Sequence, residues 1–270
     1  MTDFAERLRH VDLKIRRAAE HAHALAVAMQ AYLDAKPFQI GARRDPENRK
    51  LTYYVSAVQP VPDAIPLIAG DVIQNLMSAL DHLAYQLVCK DTNDNPPNPN
   101  WIYFPIADDQ TRYDAKKQGK MQGAAPATFN AIDALRPYQG GDDQIWRLYR
   151  LNNIEKHRVL LTVGAQAAGI HLGQMLMPHI AASMGPEAAA LLEKMTHYLM
   201  PADTGFPLRP GFELYTTAPD EEPNPKLEFR FTVVLHEPGV SDGVPVMDAV
   251  KHLEDRVQHV VQTLAPLLKP

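Results

Sequence analysis

Hydrophobic residues recur at alternating spacings of four and three from Phe4 through Leu8, Val11, Ile15, Ala18, Ala22, Leu25 and Met29 to Tyr32. That period sets them on one face of a single long helix. The helix is expected to end near Lys36-Pro37, because proline lacks the N–H that a further turn requires. A heptad seam of this kind needs a partner, within the chain or across a homodimer. Arg7, Arg9, Arg16 and Arg17 fall off the seam.

The pattern then changes. FQIGARR and KLTYYVSAVQ are rich in β-formers and are separated by Asp45-Pro46-Glu47-Asn48, so a β-hairpin is expected near 38–59. PVPDAIP acts as a stiff spacer. A second helix follows, carried by Ile68, Val72, Leu76, Ala79, Leu83 and Leu87 and running to about Cys89. The Pro- and Asn-rich DTNDNPPNPN reads as a loop. WIYFPI reads as a short strand, and 126–135 as a short helix closed by Arg136-Pro137 and Gly140-Gly141. A helix starting near Asp142 carries IWRLYRLNNIEKHRVLLTV, 164–184 fits either helix or strands, and 187–199 reads as helix. The tail offers FELYTTA and KLEFRFTVVL as an antiparallel strand pair, then a helix over 246–264. Helices and strands that do not alternate as βαβ predict an α+β fold, predominantly helical, rather than a doubly wound sheet. A single domain over 1–270 is preferred to a split into 1–163 and 186–270.

Composition narrows the classes. With 46% hydrophobic and 22% charged residues the chain is expected to fold on its own. A net charge of −5 gives no global field for a polyanion, so any RNA contact needs a local basic patch. Cys89 is the only cysteine, which excludes an intramolecular disulfide and fits a cytoplasmic protein. The N-terminus has no apolar signal region and no run of about 18 apolar residues occurs, so neither secretion nor a membrane partner is expected. Nucleophile-elbow, P-loop and dinucleotide-binding motifs are missing, and no cofactor is expected. His252 with Asp255 and His259, and Glu20 with His21 and His23, contain ligand-type residues, but neither matches a metal-binding spacing, so no metal site is assigned.

Two segments can carry chemistry. In GDVIQNLMSALDHLAYQL, Asp71, Asn75, Ser78 and His82 stand at spacings of four, three and four, sharing one helical face next to Asp81. In RLYRLNNIEKHRVLL, Asn152, Asn153, Lys156, His157 and Arg158 crowd two turns of an otherwise apolar helix. The bland reading of both is hydrogen bonding between helices. The sharper one brings His82 and His157 together as acid and base, a role imidazole suits near neutral pH.

Asn75-Leu-Met-Ser-Ala-Leu-Asp-His82 and Leu151-Asn-Asn-Ile-Glu-Lys-His-Arg158 resemble motifs of an uncharacterised bacterial protein family. Its first motif is similar to the Arg-x4-to-6-His signature of HEPN domains, helical modules of bacterial defence systems, many of them metal-independent ribonucleases working at a dimer interface. The resemblance implies a HEPN-like protein that interacts with RNA as a homodimer. Met77 stands where the HEPN arginine would be, and a thioether cannot hold a phosphate. Arg150 and His157 give a second Arg–His pair with six residues between. His82, Arg150 and His157 are therefore the catalytic candidates, with Asp71, Asn75, Ser78, Asp81, Asn152, Asn153, Lys156 and Arg158 around them. A degenerate ribonuclease-type module is the first expectation. A dimeric interaction protein without catalysis, and a small-molecule or metal-dependent enzyme using the His82 and His157 region, are the alternatives.

Overall fold

The computed structural model describes residues 3–157, 161–193, 198–199 and 205–269. The elements run α1 (Phe4–Asp34), β1 (Phe38–Arg44), β2 (Lys50–Val58), α2 (Ala64–Asp91), a 3-10 turn Pro99–Trp101, α3 (Gln110–Lys120), α4 (Pro126–Leu135) and α5 (Asp143–His157). They continue through β3 (Val163–His171), α6 (Leu172–Met184), α7 (Pro186–Glu193), β4 (Tyr198–Leu199), β5 (Glu213–Pro219), β6 (Phe229–Glu237), β7 (Ser241–Pro245) and α8 (Val246–Leu264). The fold is α+β and predominantly helical.

The chain divides into two compact units, each built from separated stretches: Met1–Ala28, Asp63–Thr162 and Leu235–Pro270 form the first, Met29–Pro62 and Val163–Val234 the second. No contiguous cut of the sequence reproduces this division.

The first unit is a helical bundle. Ile65, Val72, Ile73, Leu76, Leu80, Leu83 and Leu87 put a buried stripe along α2, and Val250, Leu253, Val257, Val260 and Leu264 do the same on α8. Ile145, Leu148 and Leu151 of α5 are buried as well. Burial of such side chains stabilises a fold by about 1.5–3 kcal/mol each. In the part of α1 that belongs to this unit, Val11, Ala18, Ala22 and Leu25 are buried, so the seam is covered within the chain. The start of α4 is tied down from outside: Ala125 offers no side-chain cap, and Asp91 at the end of α2 accepts the Ala125 N–H and the Thr128 hydroxyl, both at 2.7 Å. A carboxylate there also meets the positive end of the helix dipole. Asp142 caps α5 by accepting the Gln144 and Ile145 N–H groups and pairs with Arg256 of α8.

The second unit holds the hairpin. β1 and β2 pair antiparallel, with Phe38 opposite Val58 and Arg44 opposite Leu51, and β5 adds to the far side of β2 with Tyr53 opposite Tyr215. Val55, Ala165 and Leu208, with Phe38, Phe212 and Phe231 against them, form its core. β3 lies between β4 and β6.

Several elements depart from the expectation. FELYTTA and KLEFRFTVVL are both strands, but the first joins β2 and the second joins β3, because each has one apolar face to cover and strand pairing is not limited to sequence neighbours. The strand pair that precedes the C-terminal helix is β6 with β7. WIYFPI forms no strand: its Trp101 closes the 3-10 turn, and Phe104 and Ile106 are core residues of an extended segment. The ambiguous 164–184 is β3 followed by α6, and among the described residues of 187–199, α7 covers those up to Glu193 while Tyr198–Leu199 is a strand. α3 has no apolar stripe in its sequence to announce it, since only Tyr113 of it is buried. Among the described residues no helix is long and apolar enough to cross a membrane.

Candidate functional site

Two polar stripes face each other in the first unit. On α2, Asp71, Asn75, Ser78 and His82 lie along one face beside the buried stripe, as the spacing predicts, and Gln86 continues the line one turn further. On α1, Arg7, His10, Lys14, Arg17 and His21 recur at three and four, one residue out of step with the apolar seam. The stripes meet in antiparallel order. Arg7 Nη1 donates to Gln86 Oε1 at 3.3 Å, the His10 and His82 rings stand edge to face at 5.8 Å, Lys14 Nζ donates to Asn75 Oδ1 at 3.4 Å, and His21 Nδ1 is 3.7 Å from Asp71 Oδ2. Arg7 is 4% exposed and also donates to Asp94 at 2.6 Å, which anchors one end of the seam.

Long side chains bridge this seam and leave space between the helices. One cavity of about 430 Å³ is lined by His10, Ser78, Asp81, His82, Tyr85, Gln86 and Ile102. A second, also about 430 Å³, is lined by His10, Leu13, Lys14, Arg17, Asn75 and His82. The two cavities share His10 and His82, so the imidazole pair stands where they meet. The second is lined by three basic or imidazole groups from α1, of which Arg17 also donates to Glu20 Oε2 at 2.8 Å on the same helix, and among the described lining residues there is no carboxylate, so the wall is predominantly basic. Both volumes lie in the range of about 300–1,000 Å³ usual for small-ligand sites.

Electrostatics set the two cavities apart. Burial lowers the His82 pKa, and the neighbouring His10 and Lys14 lower it further, all of which favour the neutral imidazole. Arg9 Nη2 lies 3.0 Å from His10 Nε2. Asp81 is the unusual carboxyl: burial pushes its pKa up to about 6, against the opposing pull of the Phe104 N–H that Oδ1 accepts at 2.9 Å and of Lys156 and Lys120. Burial holds Lys120 below its ordinary value despite Asp81, and its Nζ donates to the Ile106 carbonyl at 3.0 Å.

Asp71, Asn75, Ser78, Asp81 and His82 thus gather along the groove between α1 and α2. Lys156 reaches this region only as a charge felt by Asp81. Arg150 is elsewhere, its Nη1 3.5 Å from Asp108 Oδ1 and its buried Nε without a hydrogen-bond partner among the described residues. Asn152 is 4% exposed and its Oδ1 likewise has no partner among the described residues, while Asn153 is half-buried. The His157 side chain and Arg158 lie outside the described residues. His82 is brought to His10, a residue not among the candidates. The signal was present in the heptad-spaced polar line beginning at Arg7, which reads as a solvated face until α2 is laid against it.

Met77 is 6% exposed and belongs to the buried residues of α2. Trp101 and Tyr103 are 72% and 47% exposed on either side of Ile102, the residue that lines the first cavity. Among the described residues no three His, Cys, Asp or Glu side chains converge as metal ligands. The second unit has a concavity of about 480 Å³ lined by Met177, Ala181, Ala189, Glu221 and Asn224 among others. Its polar groups serve the fold: Glu221 Oε2 accepts the Ala218 N–H, and Asn224 donates to Gln174 O while its N–H is bound by Tyr53 Oη.

No family model, curated protein or solved structure matches this chain.

Proposed function

We propose that this chain interacts with RNA through the groove between α1 and α2, in which Lys14 and Arg17 hold a backbone phosphate beside the His10–His82 pair. The observation that carries the reading is the position of that pair, between a cavity lined by Lys14 and Arg17 and a polar cavity of similar size. A local cluster of this kind supplies the counterion-displacing contacts that a chain of net charge −5 does not offer globally. The exposed Trp101 and Tyr103 add faces on which unpaired bases stack, worth about 1–3 kcal/mol per base.

The same groove has the parts for metal-independent cleavage of the HEPN kind with a different set of residues. His82 is the group to take the proton of a ribose 2′-hydroxyl as its oxygen attacks phosphorus; a 2′,3′-cyclic phosphate forms, the P–O5′ bond breaks, and the leaving 5′-oxygen takes its proton from the facing His10. Lys14 and Arg17 face the charge that builds on the phosphoryl oxygens. Arg150 plays no part in this arrangement, and Met77 belongs to the core.

The test is cleavage and binding of a mixed RNA pool in EDTA by wild type, His82→Ala, His10→Ala and Arg150→Ala, with light scattering on the same samples for the oligomeric state. EDTA-resistant cleavage lost in both histidine variants and kept in Arg150→Ala is the expected result. RNA that is bound but left intact reduces the reading to a binding module. RNA neither bound nor cut by wild type overturns it and leaves the seam as a structural contact between helices.

A further inference from the structure

The cavity lined by Ser78, Asp81, Tyr85, Gln86 and Ile102 is not explained by phosphate binding, since a carboxyl group stands in its wall. From the hydrogen-bonding groups it presents we infer that it is a nucleobase subsite that selects guanine, reading the Watson–Crick edge with the Asp81 carboxylate and the Gln86 amide. The inference rests on the reading of the adjoining basic cavity as a phosphate site.

Two features fix the pattern of donors and acceptors. Gln86 Oε1 is taken by Arg7 Nη1, so the side-chain amide is held with its NH2 group as the remaining, donating end. Arg7 is itself buried and pinned by Asp94, and this keeps the Gln86 amide from turning over. Asp81 Oδ1 accepts the Phe104 N–H, which orients the carboxyl group and leaves lone pairs on both oxygens for a ligand. Beside the Ser78 and Tyr85 hydroxyls in the same wall, the Gln86 NH2 donor and the Asp81 carboxylate acceptor complement guanine, whose edge carries the O6 acceptor next to the N1–H and N2–H2 donors. Adenine and cytosine each present one exocyclic donor group to a carboxylate, and uracil one ring N–H, so none forms the paired contact. A good bidentate pair discriminates by about 1–3 kcal/mol, which corresponds to roughly 5- to 150-fold in affinity. Because His10 and His82 line both cavities, one nucleotide can place its base in this cavity and its phosphate near Lys14 and Arg17.

The experiment is calorimetric titration of the full chain with the four ribonucleoside 5′-monophosphates above pH 7, for wild type, Asp81→Asn, Gln86→Glu and Lys14→Ala. Asparagine still offers an oxygen to Phe104, and glutamate still accepts from Arg7, so both variants keep the internal bonds and change only what faces the ligand. The expected result is GMP bound at least about tenfold tighter than the other three, with the preference lost in Asp81→Asn and Gln86→Glu and all four nucleotides weakened in Lys14→Ala. A guanine preference that survives in Asp81→Asn overturns the inference. Equal binding of all four by wild type, weakened throughout in Lys14→Ala, also overturns it while the phosphate site stands. No binding of any nucleotide by wild type removes the phosphate site and the base subsite together.

Discussion

Arg7 and Asp94 form an ion pair at 2.6 Å whose partners live in opposite surroundings, with 5% of the arginine side chain exposed against 41% of the aspartate. The burial makes the pair asymmetric. Removing the surface member leaves a buried guanidinium facing the neutral Gln86 carbonyl, whereas removing the buried member returns the carboxylate to water. Asp94→Ala is expected to cost about 2–3 kcal/mol and Arg7→Met about 1 kcal/mol. Urea denaturation midpoints measure both, and the reverse order contradicts the burial argument.

Asp81 sets a pH dependence. Its folded pKa of about 6 lies above the ordinary 3.8, so the ionised form costs the folded state. The cost is complete above pH 6 and absent below about pH 4, so stability rises as pH falls between those limits, by up to about 3 kcal/mol. Lys120 and Lys156 oppose that cost, and His10 and His82 share the cavity wall. Asp81→Asn keeps the acceptor for Phe104 and sheds the charge, so it is expected to stabilise the protein by about 1–2 kcal/mol at pH 7.5. Its advantage should fade towards pH 4 in parallel melts. A constant difference across that range is the contrary result.

Asp91 holds the α4 start by accepting from Ala125 and from Thr128, which is 2% exposed. Asp91→Ala leaves that hydroxyl buried without its acceptor and is expected to cost about 2 kcal/mol. Asp91→Asn keeps an acceptor and loses only the charge at the helix N-terminus, about 0.5–1 kcal/mol. Thermal melts that place the two variants together would show that the hydrogen bonds contribute little.

If phosphate sits beside Lys14 and Arg17, Lys14→Ala and Arg17→Ala each weaken RNA binding alike for all sequences. Each also reduces the slope of log affinity against log salt by about one. Fluorescence anisotropy from 50 to 300 mM salt tests this, and an unchanged slope in both variants speaks against a backbone contact there.

Much of the helical framework is legible in the chain because local periodicity decides it. α4 and α8 have the expected bounds, and α2 extends only a few residues beyond its apolar stripe. Where partner choice is long-range, local pattern is silent: nothing within FELYTTA says that Tyr215 will lie opposite Tyr53. The two units were hidden for the same reason, since each is assembled from separated stretches. Half of the candidate site was legible as the line from Asp71 to His82. The other half was not, because an Arg, His or Lys on a surface helix looks solvated until the facing helix is known. The Met77 position illustrates the converse, being readable as an altered motif residue in sequence and as ordinary core once its burial is seen.

The antiparallel seam is also a constraint on helical phase. Each α-helical residue turns the chain by about 100°. A single insertion between His10 and Lys14 would therefore swing Lys14, Arg17 and His21 off the groove together while leaving Arg7 and His10 in place. A three- or four-residue insertion returns them close to the original azimuth but slides them about one turn along the axis. Chains that keep this groove must then preserve the lengths of α1 and α2 between their paired positions more strictly than they preserve the residues themselves. That spacing is the mark by which the same groove would be recognised in another sequence.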